Sequence, residues 1–493
     1  MSGFTRRSFL KVMAAIPIYL SAGNLVSVAA TTARVRYDVR SSNGQAMLKL
    51  YAKAVKAMKS LPEGDPRSWM FQWYTHQVNG TITKSDEITR IYPVASAWRA
   101  LANDMWDTCQ THGGGNQDLF LPWHRMFIYF FEDIVRSMSG DESFTLPYWN
   151  YSTTDLATRG ILPDEFRRKD DPVFGSLYVD NRNQGVNDGQ PIQGNIQPGN
   201  PRDPLNLSSL AICSYSLRPP QQGFCLHLDL NLHGNVHVRV GDTRNMGRVQ
   251  WAANDPIFWL HHCNLDRLWA SWNAGRRSNP NISQDFVFSD KDGNKVVRNT
   301  SAFMDLQQLD YSYDVLEPVP VCEPREARMR EEKEVTRLAK VPEVAVRLGS
   351  EPVRILLDPV PMAEGGRRDL SERFAELPNE NRVFLVLRNL RTDIQPGVLY
   401  ELYLNLSSTE DPEKHAAHFV GTINFFEAET SRPKKEMEEG LSNRYYSFDI
   451  TDVARRLGTV SRHEQSSSIT FVPAGKAIKA SQPSIGEIEI VAN

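Results

Sequence analysis

The 493-residue chain has little cysteine, no C-x-x-C pair, no long run of like charge and no apolar stretch of comfortable membrane-spanning length. Each shortage removes a class of protein. Five cysteines, Cys109, Cys213, Cys225, Cys263 and Cys322, are too few for a disulfide framework, and the spacing of a zinc ribbon is missing. Cys213 and Cys225 stand close enough to pair across a loop, a question the sequence leaves open. A net charge of -3 without a basic block argues against nucleic acid or an anionic membrane surface as partner. What stays is chemistry on something small. Single hydrophobic cores stop growing near ~250 to 300 residues, so a chain of this length is expected to hold two domains.

The first thirty residues read as an address. Thr5-Arg6-Arg7-Ser8-Phe9-Leu10-Lys11 precedes an apolar stretch from Val12 to about Leu20, and small residues end the segment at Ser27-Val28-Ala29-Ala30. Paired arginines, a short apolar region and a small-residue cleavage site resemble a twin-arginine export signal. The apolar part falls short of the ~20 residues that span a bilayer, so no stable membrane anchoring is expected. That route exports folded, cofactor-loaded proteins, and a periplasmic metalloenzyme would suit it.

Helical spacing dominates the next part of the chain. Met47, Leu48, Tyr51, Ala54, Val55 and Met58 recur at helical intervals after Asn43-Gly44; Val94, Trp98, Leu101, Met105 and Trp106 do so after Pro93, a good first-turn residue. Residues 173–223 are rich in Gly, Pro, Asn and Gln without periodicity and read as a long surface loop. Prolines and a dense charge run, Arg325 to Glu334, mark the domain boundary between Glu317 and Val344. Beyond it, Val353 to Leu357, Val383 to Leu387, Leu399 to Leu406, Phe419 to Phe426, Tyr445 to Ile450, Ile469 to Val472 and Ile485 to Val491 are short β-branched and aromatic segments bounded by turn residues. Seven such strands predict an all-β sandwich or jelly roll.

The chemistry lies with the histidines, eight of whose eleven fall between His76 and His262. His233-Gly234-Asn235-Val236-His237 puts two imidazoles on one helix face, able to hold zinc or copper. The metalloprotease version would need Glu where Gly234 stands. In Asn254-Asp255-Pro256-Ile257-Phe258-Trp259-Leu260-His261-His262, a helix after Pro256 turns His262 inward with Phe258, Leu265, Leu268, Trp269 and Trp272, and two adjacent histidines cannot both point the same way. His124, in Leu121-Pro122-Trp123-His124-Arg125, opens an apolar helix running through Phe127, Ile128, Phe131, Ile134 and Val135.

These pieces, in this order, resemble the two copper-binding regions of tyrosinases and polyphenol oxidases. The resemblance covers roughly residues 35 to 493, and it implies a mainly α catalytic domain, a four-helix bundle around a dicopper site, followed by an all-β C-terminal domain. The implied ligands are His76, His112 and His124 for the first copper and His233, His237 and His262 for the second. His112 is set wider from His124 than usual, with Gly113-Gly114-Gly115 between. The resemblance makes His261 a neighbour rather than a ligand, and His227, His415, His418 and His463 match no motif. Cys109, three residues before His112, does not fit the spacing of the thioether some members form, which stays open. Asp266 is expected to set the tautomer of the His262 imidazole or to form a surface ion pair. Tyr311-Ser312-Tyr313 resembles the motif closing plant-type catalytic domains, with Arg36 or Arg40 its partner.

The implied activity is oxidation of small phenols by O2, ortho-hydroxylating monophenols and converting o-diphenols to o-quinones. Asp229 would orient the deprotonating water, and Val249 would stand at the gate position, small where many plant enzymes carry Phe. Gly234 departs from the Asn tied to strong monophenolase action. The expected organisation is 1–30 export signal, 31–316 catalytic domain, 317–350 charged linker and 351–493 a C-terminal domain that shields the pocket within the same chain. A catechol oxidase, an o-aminophenol oxidase, a hemocyanin-like O2 carrier and a zinc hydrolase are the alternatives.

Overall fold

The computed structural model describes residues 34–110, 116–322, 335–341, 345–360, 370–378, 380–406, 414, 416–428, 444–460 and 467–493. The export signal, His112, His415, His463 and the charge run 325–334 lie outside the described residues.

The helical spacing from Met47 to Met58 is realised as α1 (Ser42–Ser60), whose first turn is capped by the Ser41 hydroxyl accepting from the Gly44 amide. Gly44 is required there, because a Cβ would lie 1.8 Å from the Asp38 carbonyl oxygen that crosses the helix. Next come α2 (Trp69–His76), α3 (Lys84–Ile91), α4 (Ala97–Met105) and the long α5 (Phe120–Ser139). Helix α4 starts at a Ser96 cap rather than after Pro93, since the Ser hydroxyl can accept from the Arg99 amide; Val94 and Trp98, expected in the core, are exposed. Then α6 (Phe224–Leu228), a π-turn at Asp229–His233 and α7 (Gly234–Val240) run as one rod, and α8 (Ile257–Ala274) completes the bundle. Phe131 of α5 stacks on Trp259 of α8, Trp69 of α2 packs edge-on to both, and the Tyr51 hydroxyl of α1 donates to the Pro256 carbonyl at 2.8 Å. The supposed surface loop 173–223 contributes Leu177, Ile192, Leu205 and Leu210 to this core, so it is irregular but packed.

Four short strands accompany the helices: β1 (Arg34–Arg36), the hairpin β2 (Asp285–Ser289) and β3 (Lys295–Asn299), and β4 (Tyr311–Tyr313). Strand β1 pairs in parallel with β4, which sets Arg36 opposite Tyr313. The Arg36 guanidinium lies 3.6 Å over the Tyr311 ring and donates to the Tyr313 hydroxyl and to Glu132 and Asp266. Arg36, not Arg40, is therefore the partner of the Tyr-x-Tyr motif.

Asp266 departs from both of its expected roles. It is buried and accepts from Arg36, Arg125, Tyr311 and Tyr313, while the ring nitrogens of His262 have no hydrogen bond from it. Burial alone would raise its pKa, but Arg125 and Arg36 bring it below the ordinary carboxylate value. One carboxylate thus serves two buried guanidiniums. Replacing Asp266 with Ala should cost about 3 to 5 kcal/mol, because it strands both cations. Denaturant unfolding of the copper-free chain measures this, and an unchanged midpoint would refute it.

All seven expected C-terminal strands are present among β5 (Thr336–Lys340), β6 (Val346–Arg347), β7 (Val353–Leu356), β8 (Asp358–Pro359), β9 (Val383–Arg391), β10 (Tyr400–Leu404), β11 (Phe419–Ile423), β12 (Tyr445–Asp449), β13 (Ser468–Pro473) and β14 (Ser484–Ala492). They form an antiparallel sheet β11-β10-β13-β7 and a larger sheet β12-β9-β14-β5-β8, with β6 beside β14. Their inward residues, among them Leu385, Leu387, Leu402, Ile469, Phe471 and Ile490, make a second core. This part is not purely β, because the helices Leu370–Glu376 and Thr451–Val460 belong to it.

The two cores interlock. Leu226 of α6 and Leu230 of the π-turn are buried among the β-sheet side chains, and Leu399 and Phe426 are buried among the helical ones. The one disulfide among the described residues joins Cys213 to Cys322 across 109 positions, while Cys225 is buried as a free thiol. Cys213 thus pairs with the end of the helical part rather than with its near neighbour in sequence.

Candidate metal centre

Local structure aims each imidazole. His76 is the last residue of α2, His124 sits in the first turns of α5, His233 ends the π-turn, His237 is one turn further on in α7, and His261 and His262 lie side by side on α8. None of the six is more than 3% exposed. A π-turn adds one residue to the helical ladder, which re-aims the side chains at its end and recurs at functional sites. Here it turns Asp229 and His233 toward the bundle axis.

Two donor groups result. In one, donor atoms of His233, His237, His261 and His262 lie within 4.8 Å of one another; in the other, those of His76, Cys109 and His124 do. The His262 ring joins them, stacked on His124 with ring centres 4.2 Å apart and planes 7° apart. Three rings have their tautomer fixed from behind. Nδ1 of His124 donates to the Phe120 carbonyl at 2.8 Å, Nδ1 of His237 to the Met246 carbonyl at 2.8 Å, and Nδ1 of His233 to the Asp229 carbonyl at 3.1 Å. A carbonyl can only accept, so each Nδ1 holds the proton and each Nε2 presents its lone pair forward.

Burial holds the rings of His124, His237, His261 and His262 neutral. It pushes the pKa of His124 down to about 3 and keeps His237, His261 and His262 well below the usual imidazole value, with neighbouring imidazoles adding to the effect. Neutral imidazole is the form that binds a metal ion. Nε2 of His237 and both ring nitrogens of His261 and His262 find no hydrogen-bond partner among the described residues, a costly state for buried polar atoms that a metal would relieve. A nest of imidazoles with a nearby thiol suits copper, whereas oxygen ligands would suit the harder cations.

Above the second group stands the C-terminal part. Phe426 stacks face to face on His237, ring centres 4.0 Å apart and planes 12° apart, and meets His233 edge-on. Asn424 donates to the Leu230 carbonyl at 2.7 Å and to Asn235. Its amide fills the space beside Gly234, where a Cβ would come within 2.6 Å of it. Arg444 reaches Asp229 at 2.5 Å and also pairs with Glu427. Burial alone would raise the Asp229 carboxyl; Arg444 and then His233 bring it below the usual carboxylate range. The gap left between these residues is a cavity of about 40 Å³, room for a few waters. That gap is far below the ~300 Å³ at which ligand pockets begin.

Helices that present a shared nest of neutral imidazoles, backed by carbonyl oxygens, define the histidine-rich metalloproteins of the dinuclear kind. Comparison with known proteins places this chain among them. Residues 66–207 and 213–275 match the common central domain of tyrosinase, and residues 341–493 match a domain of unknown function. A tyrosinase of Hahella sp. (strain CCB-MM4) is 27% identical over 474 residues, covering 90% of this chain and 96% of its own. The latent form of a chloroplastic polyphenol oxidase from Prunus armeniaca is 24% identical over 458 residues, 86% of this chain and 70% of its own. Among solved structures, latent apple tyrosinase shares the fold at a TM-score of 0.57 and 22% identity, covering 94% of this chain and 97% of its own. The chain belongs to the tyrosinase and polyphenol oxidase family. It is a copper-dependent oxidoreductase acting on phenols, with a dinuclear copper site, which sets aside the zinc hydrolase and the oxygen carrier.

The sequence-expected residues fall out unevenly. His76, His124, His233, His237 and His262 are brought together, whereas His112 is outside the described residues. Asp229 is at the site but engaged by Arg444. Val249 is buried and opens a 3-10 stretch, Val249–Asn254, packed on α2; the aromatic ring over the second group is Phe426. Of the histidines without a motif, His227 meets the Ser209 hydroxyl and His418 the Leu404 carbonyl. Cys109, close to His112 in sequence, has its sulfur 3.5 Å from Nε2 of His124. Sequence reasoning missed Asn424, Phe426, Glu427 and Arg444, which carry no motif; His261, expected as a neighbour of the ligands, has a donor atom beside those of His233, His237 and His262.

Proposed function

We propose that this chain is an exported tyrosinase that hydroxylates monophenols ortho to their hydroxyl group, oxidises o-diphenols to o-quinones, and is covered by its own C-terminal part until that part is displaced. The observation that carries the second half is the seat of Phe426 on His237. The proposed ligands are His76, His112 and His124 for one copper and His233, His237 and His262 for the other. When bound, the coppers would pass electrons to O2 and so activate it to oxidise the phenol.

The chain's own residues do the rest. Carbonyls of Phe120, Asp229 and Met246 hold protons on the rear ring nitrogens, so the imidazoles cannot rotate away. Asp229 is proposed to orient a water that takes the phenol proton, and its salt bridge to Arg444 withholds it while the cover is seated. Val249, smaller than Phe, leaves room for a monophenol ring once Phe426 has gone. The proposed organisation is a leader over 1–30, a catalytic domain over 31–316, and a cover that starts earlier than the expected 351, since β5 (Thr336–Lys340) and β6 (Val346–Arg347) of the supposed linker 317–350 already pair with β14. Among the described residues no helix is long and apolar enough to cross a membrane; the proposed leader delivers the enzyme to the periplasm.

A pure catechol oxidase is the second reading, favoured by Gly234 in place of Asn. The deciding experiment pairs a simple monophenol with its o-diphenol on copper-loaded chain freed of the cover. Turnover of both, with a lag on the monophenol, is expected. Turnover of the o-diphenol alone would establish the catechol oxidase.

A further inference from the structure

After β4 the chain runs back along α8 as a strap. Arg267 donates to the Val315 carbonyl at 3.1 Å and to the Glu317 carboxylate at 2.8 Å, and the Ser271 hydroxyl accepts from the Glu317 amide at 3.0 Å. The Cys322 amide reaches the Gly275 carbonyl more loosely, at 3.5 Å. Positions 267, 271 and 275 stand four apart, so the ties descend one face of the helix. Gly275 admits the strap, since a Cβ there would lie 2.8 Å from the Val319 side chain and 3.1 Å from the Pro320 carbonyl oxygen. Val315, Leu316 and Val321 remain exposed on its outer side.

The strap is anchored at its far end by the Cys213–Cys322 disulfide. The anchor is firm because the stretch before Cys213 is itself fastened to the end of α8. Trp272 donates to the Ile212 carbonyl and Arg277 to the Leu210 carbonyl, each at 2.7 Å. Both cysteines are partly exposed, within reach of a reductant. Nε of Arg277 donates to the Cys322 sulfur at 3.0 Å. A cation beside a sulfur favours its thiolate, which makes Cys322 the better leaving group when a thiolate attacks Cys213. A dithiol would supply two electrons and two protons, close to its own disulfide and leave Cys213 and Cys322 as thiols.

We propose that this disulfide is a redox-sensitive latch on the catalytic part, one that comes into play when the chain is cut beyond it. The proposal rests on the reading that activation includes such a cut. In the uncut chain the strap is held from both sides, because past Cys322 the chain continues into β5, which pairs with β14. A cut between Cys322 and β5 leaves the disulfide to hold the new end. Oxidised, the strap stays on α8 and the Tyr313 clasp above it is protected. Reduced, the new end frays back toward Tyr313, and the helix that carries His262 loosens. The released enzyme then lasts in oxidising surroundings, where disulfides persist, and fails in reducing ones.

The test compares copper-loaded full-length wild type and Cys322→Ser, each uncut and after limited trypsin. The first Lys or Arg after Arg298 is Arg325, so a tryptic cut in the charge run leaves the strap whole. Hydrogen exchange is read by mass spectrometry on the peptide containing Glu317. Fraying ends open with free energies near zero, so their amides lose protection outright. Loss of protection is expected in cut Cys322→Ser alone, accompanied by earlier loss of copper to a chelator than in cut wild type. Copper-free wild type, cut and then treated with a dithiol, should lose the same protection, which keeps the test open if the serine variant does not fold. Equal protection in cut wild type and cut variant overturns the proposal. So does equal loss in the cut and uncut variant, the mark of a crosslink that merely stabilises the fold. Failure of the underlying reading looks different: cutting wild type would then bring no gain in catechol turnover, whatever the exchange at Glu317.

Discussion

Replacing His262 with Ala is expected to take the copper content from two toward one and to bring oxidation of both monophenols and catechols down to that of the copper-free chain. His262 is the ring that ties the two groups together, stacked on His124 at 4.2 Å and 5.3 Å from His233. Its backbone is immovable, since α8 is buried along nearly its whole length and its Trp259 is stacked on Phe131. Loss of a residue that only supports a ligand costs ~10- to 100-fold, so about 100-fold is the floor for losing a proposed ligand. The control is His227→Ala, which removes a partly buried imidazole bonded to Ser209 and should leave both coppers and the activity in place. Full activity in a folded His262→Ala protein would remove it from the proposed ligand set.

Limited trypsin should raise catechol turnover by the intact chain on the order of 10- to 100-fold, the gain expected when an accessible state of about 1 to 10% becomes the whole population. Arg325, Arg328, Arg330 and Lys333 offer the cut sites. A cut there will not free the cover by itself. Contacts between domains of one chain are often modest and polar. Here Leu226 and Leu230 lie in one core and Leu399 and Phe426 in the other, so apolar surface must be exposed to part them. Polar ties add to it, with the Tyr445 hydroxyl donating to Gln221, the Tyr446 hydroxyl to Leu230 and Arg202 to Glu401. Mild detergent after cleavage should therefore give most of the gain. The disulfide does not oppose release, because Cys322 precedes every cut site. Equal turnover before and after, at equal copper content, would end the shielding proposal.

The metal nest was largely legible because its pieces are local. Ligands spaced four apart on one helix, or placed in a helix's first turns, are fixed by helical geometry whatever the rest of the chain does. The seven strands were legible for a similar reason, as alternation and turn residues act over a few positions. What the sequence hid depends on distant segments. The strand expected over Phe419 to Phe426 stops at Ile423, and Asn424 and Phe426 leave the sheet to meet the π-turn some 190 residues earlier. Nothing near Phe426 distinguishes it from core. The role of Asp266 was hidden because its partners, Arg36, Arg125, Tyr311 and Tyr313, come from three separate stretches.

The knot around Asp266 also dictates an order of events during synthesis. Arg36 leaves the ribosome near the beginning, yet its strand partner Tyr313 lies 277 residues later. At ~5 to 20 residues per second the arginine waits on the order of tens of seconds for that partner. Every histidine of the nest has been made by then, since His262 precedes Tyr313. The helices that carry the metal site are thus all present before β1 and β4 can close around them, and a nascent chain cut short of Tyr313 would carry every described imidazole of the nest without the clasp that secures the bundle.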